Sequence, residues 1–122
     1  MGPVDNVEVV CRALENPFGA TAFAPKLVWH FTGHVPGFAP EYHGVDSFRS
    51  HFLGRLMKLT NGAFQIVPID VRAAGPELVV AHIQITMTVG GVEQAGDDVV
   101  VYRLIDGMIV EAFDIPSRSI GG

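Results

Sequence analysis

The sequence predicts an α+β domain, with N-terminal helices packed on the concave face of a strongly bent, mainly antiparallel sheet. Three observations carry this. Leu78–Val89 alternates strictly: Val79, Ala81, Ile83, Ile85, Met87 and Val89 are apolar, and His82, Gln84, Thr86 and Thr88 between them are polar. A period of two over that length is a half-buried strand, long enough to run the width of a curved sheet. Gly90-Gly91 and Asp106-Gly107 then reverse the chain twice, so residues 97–105 and 108–115 return as neighbouring strands. Ahead of this meander, residues 45–60 carry apolar side chains at helical spacing. A bent sheet crossed by helices on its concave side makes a cone with an internal cavity.

The remaining elements follow in chain order. Asp5 or Asn6 caps a first helix whose stripe is Val4, Val7, Cys11 and Leu14, with Val10 beside them. Pro17 stops it, because the residue before proline avoids the helical region. Residues 18–25 read as a turn plus a short second helix, and residues 26–31 as a short strand. Residues 32–44 form a loop with Gly33, Pro36, Gly37, Pro40 and Gly44; loops of this length often rim a functional pocket. In helix 45–60, Val45, Phe48, Phe52, Leu56 and Leu59 make one stripe, with Leu53 and Met57 beside it. Asp46 at its start and Arg55 and Lys58 near its end suit the helix dipole, and Asn61-Gly62 ends it. Residues 63–73 read as a strand with one fault. Phe64 and Ile66 share one parity and Val67, Ile69 and Val71 the other, with Pro68 at the switch, which calls for a bulge or an edge position.

Composition narrows the function. The 122 residues suit one domain, 1–122, with one core. Hydrophobic residues are 48% and charged residues 17%, so the chain is not disordered. The net charge of -5, without a basic run, disfavours a nucleic-acid or anionic-membrane partner. The single cysteine, Cys11, excludes an internal disulfide and reads as a buried, inert thiol. No window approaches the roughly 20 apolar residues of a membrane span. The start has neither a signal-peptide pattern nor, with Pro3 after Gly2, a myristoylation pattern. A cytoplasmic protein is the expectation.

Few residues carry chemistry. His30 follows Trp29 at a strand end and faces the loop; an imidazole with a free pKa of about 6.5 suits a general base, and serves as well as a rim histidine bonded to backbone. Glu111 alternates with Ile109 and Phe113, while Asp114 alternates with Val110 and Ala112. Whichever carboxylate faces the apolar side has a raised pKa and can act as an acid; alternation does not choose between them. His82, Gln84, Thr86 and Thr88 belong to the outer face, exposed or in a dimer interface. His34, His43 and His51 match no metal-ligand spacing, so no metal is expected. No phosphate-binding glycine motif and no nucleophile elbow is present.

Three segments resemble a known family. They are Val28-Trp29-His30 before a Gly/Pro loop, Tyr42-His43-Gly44-Val45-Asp46 opening the main helix, and Asp106-Gly107-Met108-Ile109-Val110-Glu111 near the end. In order and spacing they are similar to the SnoaL-like polyketide cyclase branch of the nuclear transport factor 2-like superfamily, over residues 23–116. The resemblance implies the cystatin-like cone, often a homodimer through the outer sheet face. It sets His30 where ketosteroid isomerases carry a first-strand carboxylate, and Val100 where they carry a protonated acid. Phe113 stands at the last-strand aromatic of the cyclases, and Ser117 where their aspartate falls, with Asp114 the nearest carboxylate. It also implies that Asp98, Val100, Tyr102 and Leu104 face the cavity, Asp98 near its mouth as a solvated group and Tyr102 deeper.

The expected function is a cofactor-independent acid–base enzyme of cyclase, isomerase, dehydratase or epoxide-hydrolase type. It would act on an apolar carbonyl- or epoxide-bearing small molecule. The catalytic candidates are His30, Tyr102, Asp98, Glu111 and Asp114. Trp29, Tyr42, Phe52, Leu56, Val100 and Phe113 are the candidates for the substrate-binding wall. The alternative is a non-catalytic small-molecule-binding or dimerising module of the same fold; a protein–protein adaptor is a third reading.

Overall fold

The structure, a computed structural model, describes residues 5–117. Val4, the first residue of the expected helical stripe, lies outside them. Helix α1 is Asn6–Glu15, capped by Asp5, whose carboxylate accepts the Val7 and Glu8 N–H groups. It buries Val10, Ala13 and Leu14. Cys11 is only half-buried, so the expectation of a buried thiol is corrected. Burial, then Glu15, Asp5 and Glu8, still push the thiol up, which keeps it un-ionised.

Residues 18–25 form no second helix. A turn at Pro17–Gly19 leads straight into strand β1, Phe23–Phe31. Arg49 holds that turn by donating to the Ala20 carbonyl at 2.6 Å. The following loop contains a short strand of its own, β2, Glu41–His43, paired antiparallel to β1. Strands β3 (Phe64–Ala73), β4 (Leu78–Val89), β5 (Val92–Ile105) and β6 (Met108–Pro116) complete one curled six-stranded sheet, ordered β2-β1-β6-β5-β4-β3. All neighbours are antiparallel except β1 and β6, which run parallel. Strand β5 begins five residues before the predicted start at 97, because Gly90 and Gly91, with φ of 58° and 79°, form a two-residue hairpin that pairs Val89 with Val92.

Two bulges set the faces of this sheet. On β3, an edge strand, Pro68 pairs with Ile83 and Asp70 with His82, leaving Ile69 unpaired and 55% exposed. Bulge and edge position both occur there. On β6, Arg103 pairs with Glu111 but Leu104 with Ile109, so Val110 is the extra residue. The bulge reverses the parity of β6. Ile109, Ala112 and Asp114 face the core, and Glu111 and Phe113 face outward.

The main helix also slips by one residue. It comprises α2 (Val45–Ser47), a π-helical stretch (Phe48–Leu53) and α3 (Gly54–Leu59). The Gly54 N–H bonds the Arg49 carbonyl, five residues back, and a Cβ on Gly54 would lie 3.2 Å from that oxygen. The wider turn rotates the stripe. Phe48, Phe52, Leu53 and Leu56 are buried as expected, but Thr60 replaces Leu59 as the next inward residue. Leu59 is 43% exposed, and Thr60 satisfies its buried hydroxyl on the Leu56 carbonyl at 2.7 Å. Val45 and Met57 are half-buried.

The helices close the concave side through an aromatic cluster. Trp29 stacks on Phe48 with centroids 4.3 Å apart, and Phe52 contacts Trp29, Phe31, Phe38 and Tyr42 at 5.3–5.8 Å. Leu56→Ala is expected to cost about 2–5 kcal/mol in urea denaturation, as a core cavity does. Leu59→Ala should cost under about 1 kcal/mol; equal losses would contradict the one-residue slip.

Candidate functional site

The inward rows of the sheet bring three polar side chains together. Along one row, Trp29 of β1 pairs with Ala112 of β6, which pairs with Tyr102 of β5. In the next row Phe31 pairs with Asp114, and Asp114 with Val100. In the third, Asp98 pairs with Pro116. Asp98 and Asp114 are therefore diagonal neighbours on one face, with Tyr102 one row further along β5. Trp29, Tyr102, Asp98 and Asp114 are all at least nine-tenths buried.

These four groups line a cavity of about 60 Å³ in the core of the cone. Its other walls are apolar, including Phe31, Phe48, Phe52, Leu56, Val100 and Met87. Half-buried Val35 and Phe38, from the loop before β2, border it together with Leu59. Such a volume holds a few waters but is below the roughly 150 Å³ that accommodates benzene. A larger guest requires these loop and helix side chains to move. Arg55 packs its guanidinium 5.9 Å from the Phe38 ring.

Two carboxyls cannot both ionise side by side in a dry cavity. Burial pushes Asp114 well above the usual carboxylate range, and its hydrogen bond to Asp98 and the Asp98 charge push it further. Asp114 is therefore the carboxyl of the pair that keeps its proton. Tyr102 stays a neutral hydroxyl, because burial and then the Asp114 and Asp98 charges push its phenol up. Two buried polar atoms have no hydrogen-bond partner among the described residues, Trp29 Nε1 and Asp114 Oδ1. Leaving such a group unpaired costs about 1–3 kcal/mol.

The structure divides the predicted residues between two faces. Asp98, Tyr102 and Asp114 converge in the cavity, and Asp98, expected to be solvated near the mouth, is buried at 5% exposure. Trp29, Phe52, Leu56 and Val100 line the cavity as well. His30, Glu111 and Phe113 lie on the outer face and do not reach it. His30 Nε2 is 2.8 Å from Glu111 Oε2, Nδ1 is 3.4 Å from Glu41 Oε1, and the ring stacks on Phe113 at 4.2 Å. His30 alternates with inward Trp29 and Phe31, so strand parity sends it outward. Glu111 and Phe113 are turned outward by the Val110 bulge. Tyr42 is buried behind the cavity wall, where its hydroxyl accepts the Ala39 N–H at 2.8 Å. Sequence reasoning missed the pairing of Asp98 with Asp114 and the orphaned indole N–H. The first needs the register of β5 on β6 and the second that of β1 on β6; the only sequence signal was the inward parity of Asp98 with Val100 and Tyr102.

Among the described residues no group of three or more His, Cys, Asp or Glu is placed to hold a metal ion, and no helix is long and apolar enough to cross a membrane.

The model of the SnoaL-like domain family matches residues 19–112. Solved structures share the fold. A protein of unknown function with a cystatin-like fold from Xanthomonas campestris is 21% identical, with TM-score 0.83, covering 95% of this chain and 93% of its own. A protein provisionally named a SnoaL-like polyketide cyclase, from Jannaschia sp. CCS1, is 19% identical, with TM-score 0.77 over 96% and 90%. TerC, crystallised with polyporic acid, is 16% identical, with TM-score 0.80 over 92% and 91%. No curated protein sequence matches the chain.

The raised Asp114 pKa has a definite pH signature. Its unfolded value is near 3.8, and the folded value is higher, so the folded state holds the extra proton. That contribution is complete below the unfolded value and is lost as pH rises through the folded one. Asp114→Asn cannot ionise. Relative to the native protein it should gain stability as pH rises above the unfolded value, by at most about 1.4 kcal/mol per pH unit. A stability difference that is flat with pH would mean that Asp114 is ionised when folded.

Proposed function

This chain belongs to the SnoaL-like domain family, and on that premise we propose that it is a cofactor-independent acid–base enzyme acting on a small, largely apolar carbonyl compound. The observation that carries the reading is the buried Asp98 and Asp114 side by side in the wall of an apolar cavity. The Asp98 carboxylate takes a proton from the carbon next to the carbonyl. The Tyr102 hydroxyl, kept neutral by burial, donates to the oxyanion that develops. Asp114 returns its proton to oxygen or to a second carbon, which completes an isomerisation or the enol step of an aldol-type cyclisation. The polyketide-cyclase name of one structural neighbour and the ligand bound to another accord with this class of substrate.

Exchange of the α-hydrogens of cyclohexanone with deuterated water, followed by NMR, tests the reaction without the natural substrate. Asp98→Asn is expected to lower the protein-catalysed rate by about 10²–10⁴-fold. His30→Ala, on the opposite face, should leave it within about twofold. Exchange no faster than in buffer, or equally fast in Asp98→Asn, would assign the cone to binding rather than catalysis.

We also propose a homodimer through the outer sheet face. Val99 and Ile115, paired in register, are 38% and 44% exposed there, beside Val101 and Phe113. Light scattering is expected to give twice the 13.1 kDa chain mass, and Val99→Asp should shift it to the monomer. A native monomer would refute the interface.

A further inference from the structure

A second space lies beside the cavity, an open groove of about 700 Å³ between the main helix and the loop before β2. His51, Arg55 and Lys58 line it from the helix, and Gly37 and Ala39 from the loop. Among the described residues no Asp or Glu lines it, although the chain carries a net charge of -5. Most of the other described arginines are already engaged. Arg12, Arg72 and Arg103 pair with carboxylates, and Arg49 donates to the Pro17 and Ala20 carbonyls. Arg55 and Lys58 are both exposed, and among the described residues neither has a carboxylate partner. The Arg55 guanidinium is nevertheless held in place. It packs on Gly37, where a Cβ would lie 3.1 Å from Nη1, and it stands 5.9 Å from the Phe38 ring centroid.

Groove and cavity share a wall. Leu59, 43% exposed, lines both. Phe38 lines the cavity, while its chain neighbours Gly37 and Ala39 line the groove. Leu59 and Phe38 are among the side chains that have to move to admit a guest larger than the cavity of about 60 Å³, so that movement joins the two spaces. We propose that the groove binds the anionic tail, a carboxylate or phosphate, of a keto compound whose apolar head enters the cavity, with Arg55 and Lys58 recognising the charge. This rests on the acid–base reading above and names its substrate class. The guanidinium offers a planar fork to two oxygens of one anion, and Lys58 adds a point charge. A net negative chain repels anions over most of its surface, so a groove free of acids is where one can be held. The charged end is kept out of the cavity by apolar walls and the Asp98–Asp114 pair. The ligand is thereby oriented, carbonyl inward and tail outward.

The test uses three matched ligands, 4-(2-oxocyclohexyl)butanoate, its neutral amide and 3-(2-oxocyclohexyl)propyl phosphate, titrated into the full chain by calorimetry at low salt. Trp29, the only tryptophan, gives a parallel fluorescence readout from the cavity. At least one anion is expected to bind about tenfold more tightly than the amide, and the tighter of the two names the tail. The preference should shrink in about 0.5 M salt, because both cations are exposed. Arg55→Gln should bring the preferred anion and the amide within about threefold of each other. Lys26→Gln makes the same change in net charge at an exposed residue outside the groove, and should leave the preference intact. Equal affinities of anions and amide in the native protein, a preference that survives Arg55→Gln, a preference lost equally in Lys26→Gln, or no binding of any of the three would each overturn the proposal. The two readings fail separately. A preference for the anion, with deuterium exchange unaffected by Asp98→Asn, removes the chemistry and leaves the recognition. Exchange that depends on Asp98 without the preference does the reverse.

Discussion

Strand β6 has to satisfy two different neighbours. It runs antiparallel to β5 on one side and parallel to β1 on the other. Its tight Asp106-Gly107 hairpin, with φ of 51° and 76°, fixes the register at the start of the strand. The extra residue Val110 then changes that register by one before the strand reaches the centre of the sheet. Without it, Glu111 and Phe113 would share the inward face with Ile109. With it, Ala112 and Asp114 enter the core, and Glu111 is released to pair with His30 and, at 3.6 Å, to approach Arg103. Of the polar groups in the cavity, Asp114 owes its place to this shift.

A buried acid has to be offset by the rest of the core. Asp114 does this by keeping its proton beside Asp98, and among the described residues no Lys or Arg lines the cavity. A carboxyl whose pKa is raised in this way keeps its proton above the usual range, the condition under which it serves as an acid near neutral pH. The surrounding aromatic cluster supplies the low dielectric. Trp29, Phe31, Phe48 and Phe52 come from β1 and the main helix, so the packing that closes the cone is also what keeps the pair from ionising fully.

The two faces of the sheet therefore hold different chemistry. The inner face has few polar groups, all buried and two of their atoms unpaired. The outer face holds His30, Glu41, Glu111, Arg103 and Glu77 in a chain of ion pairs and hydrogen bonds, next to exposed Val99 and Ile115. Histidine is the residue type best suited to base chemistry at neutral pH, yet here it stands on the wrong side of one strand from the cavity. Asp114, which free in water would lose its proton below neutral pH, keeps it through burial.

The sequence by itself determined the long alternating strand 78–89, its two glycine-bearing turns, the amphipathic helix from Val45 onward and the fault at Pro68. Each is set by local periodicity or by a residue's own backbone preference, so it is readable without knowing what lies opposite. It also placed Asp98 and Tyr102 on the face of β5 that the family resemblance turned inward. Only the tertiary structure decided the rest. The extension of β1 back to Phe23 and the existence of β2 depend on hydrogen bonds to strands distant in the chain. The π turn that exchanges Leu59 for Thr60 depends on how Phe48 and Phe52 meet Trp29. The choice between Glu111 and Asp114 turned on a bulge that one strand's alternation cannot reveal, because Ile109 suits either parity. The Asp98–Asp114 pair exists only because the β5–β6 register brings two carboxyls sixteen positions apart into one dry cavity, where Coulomb repulsion forbids both charges.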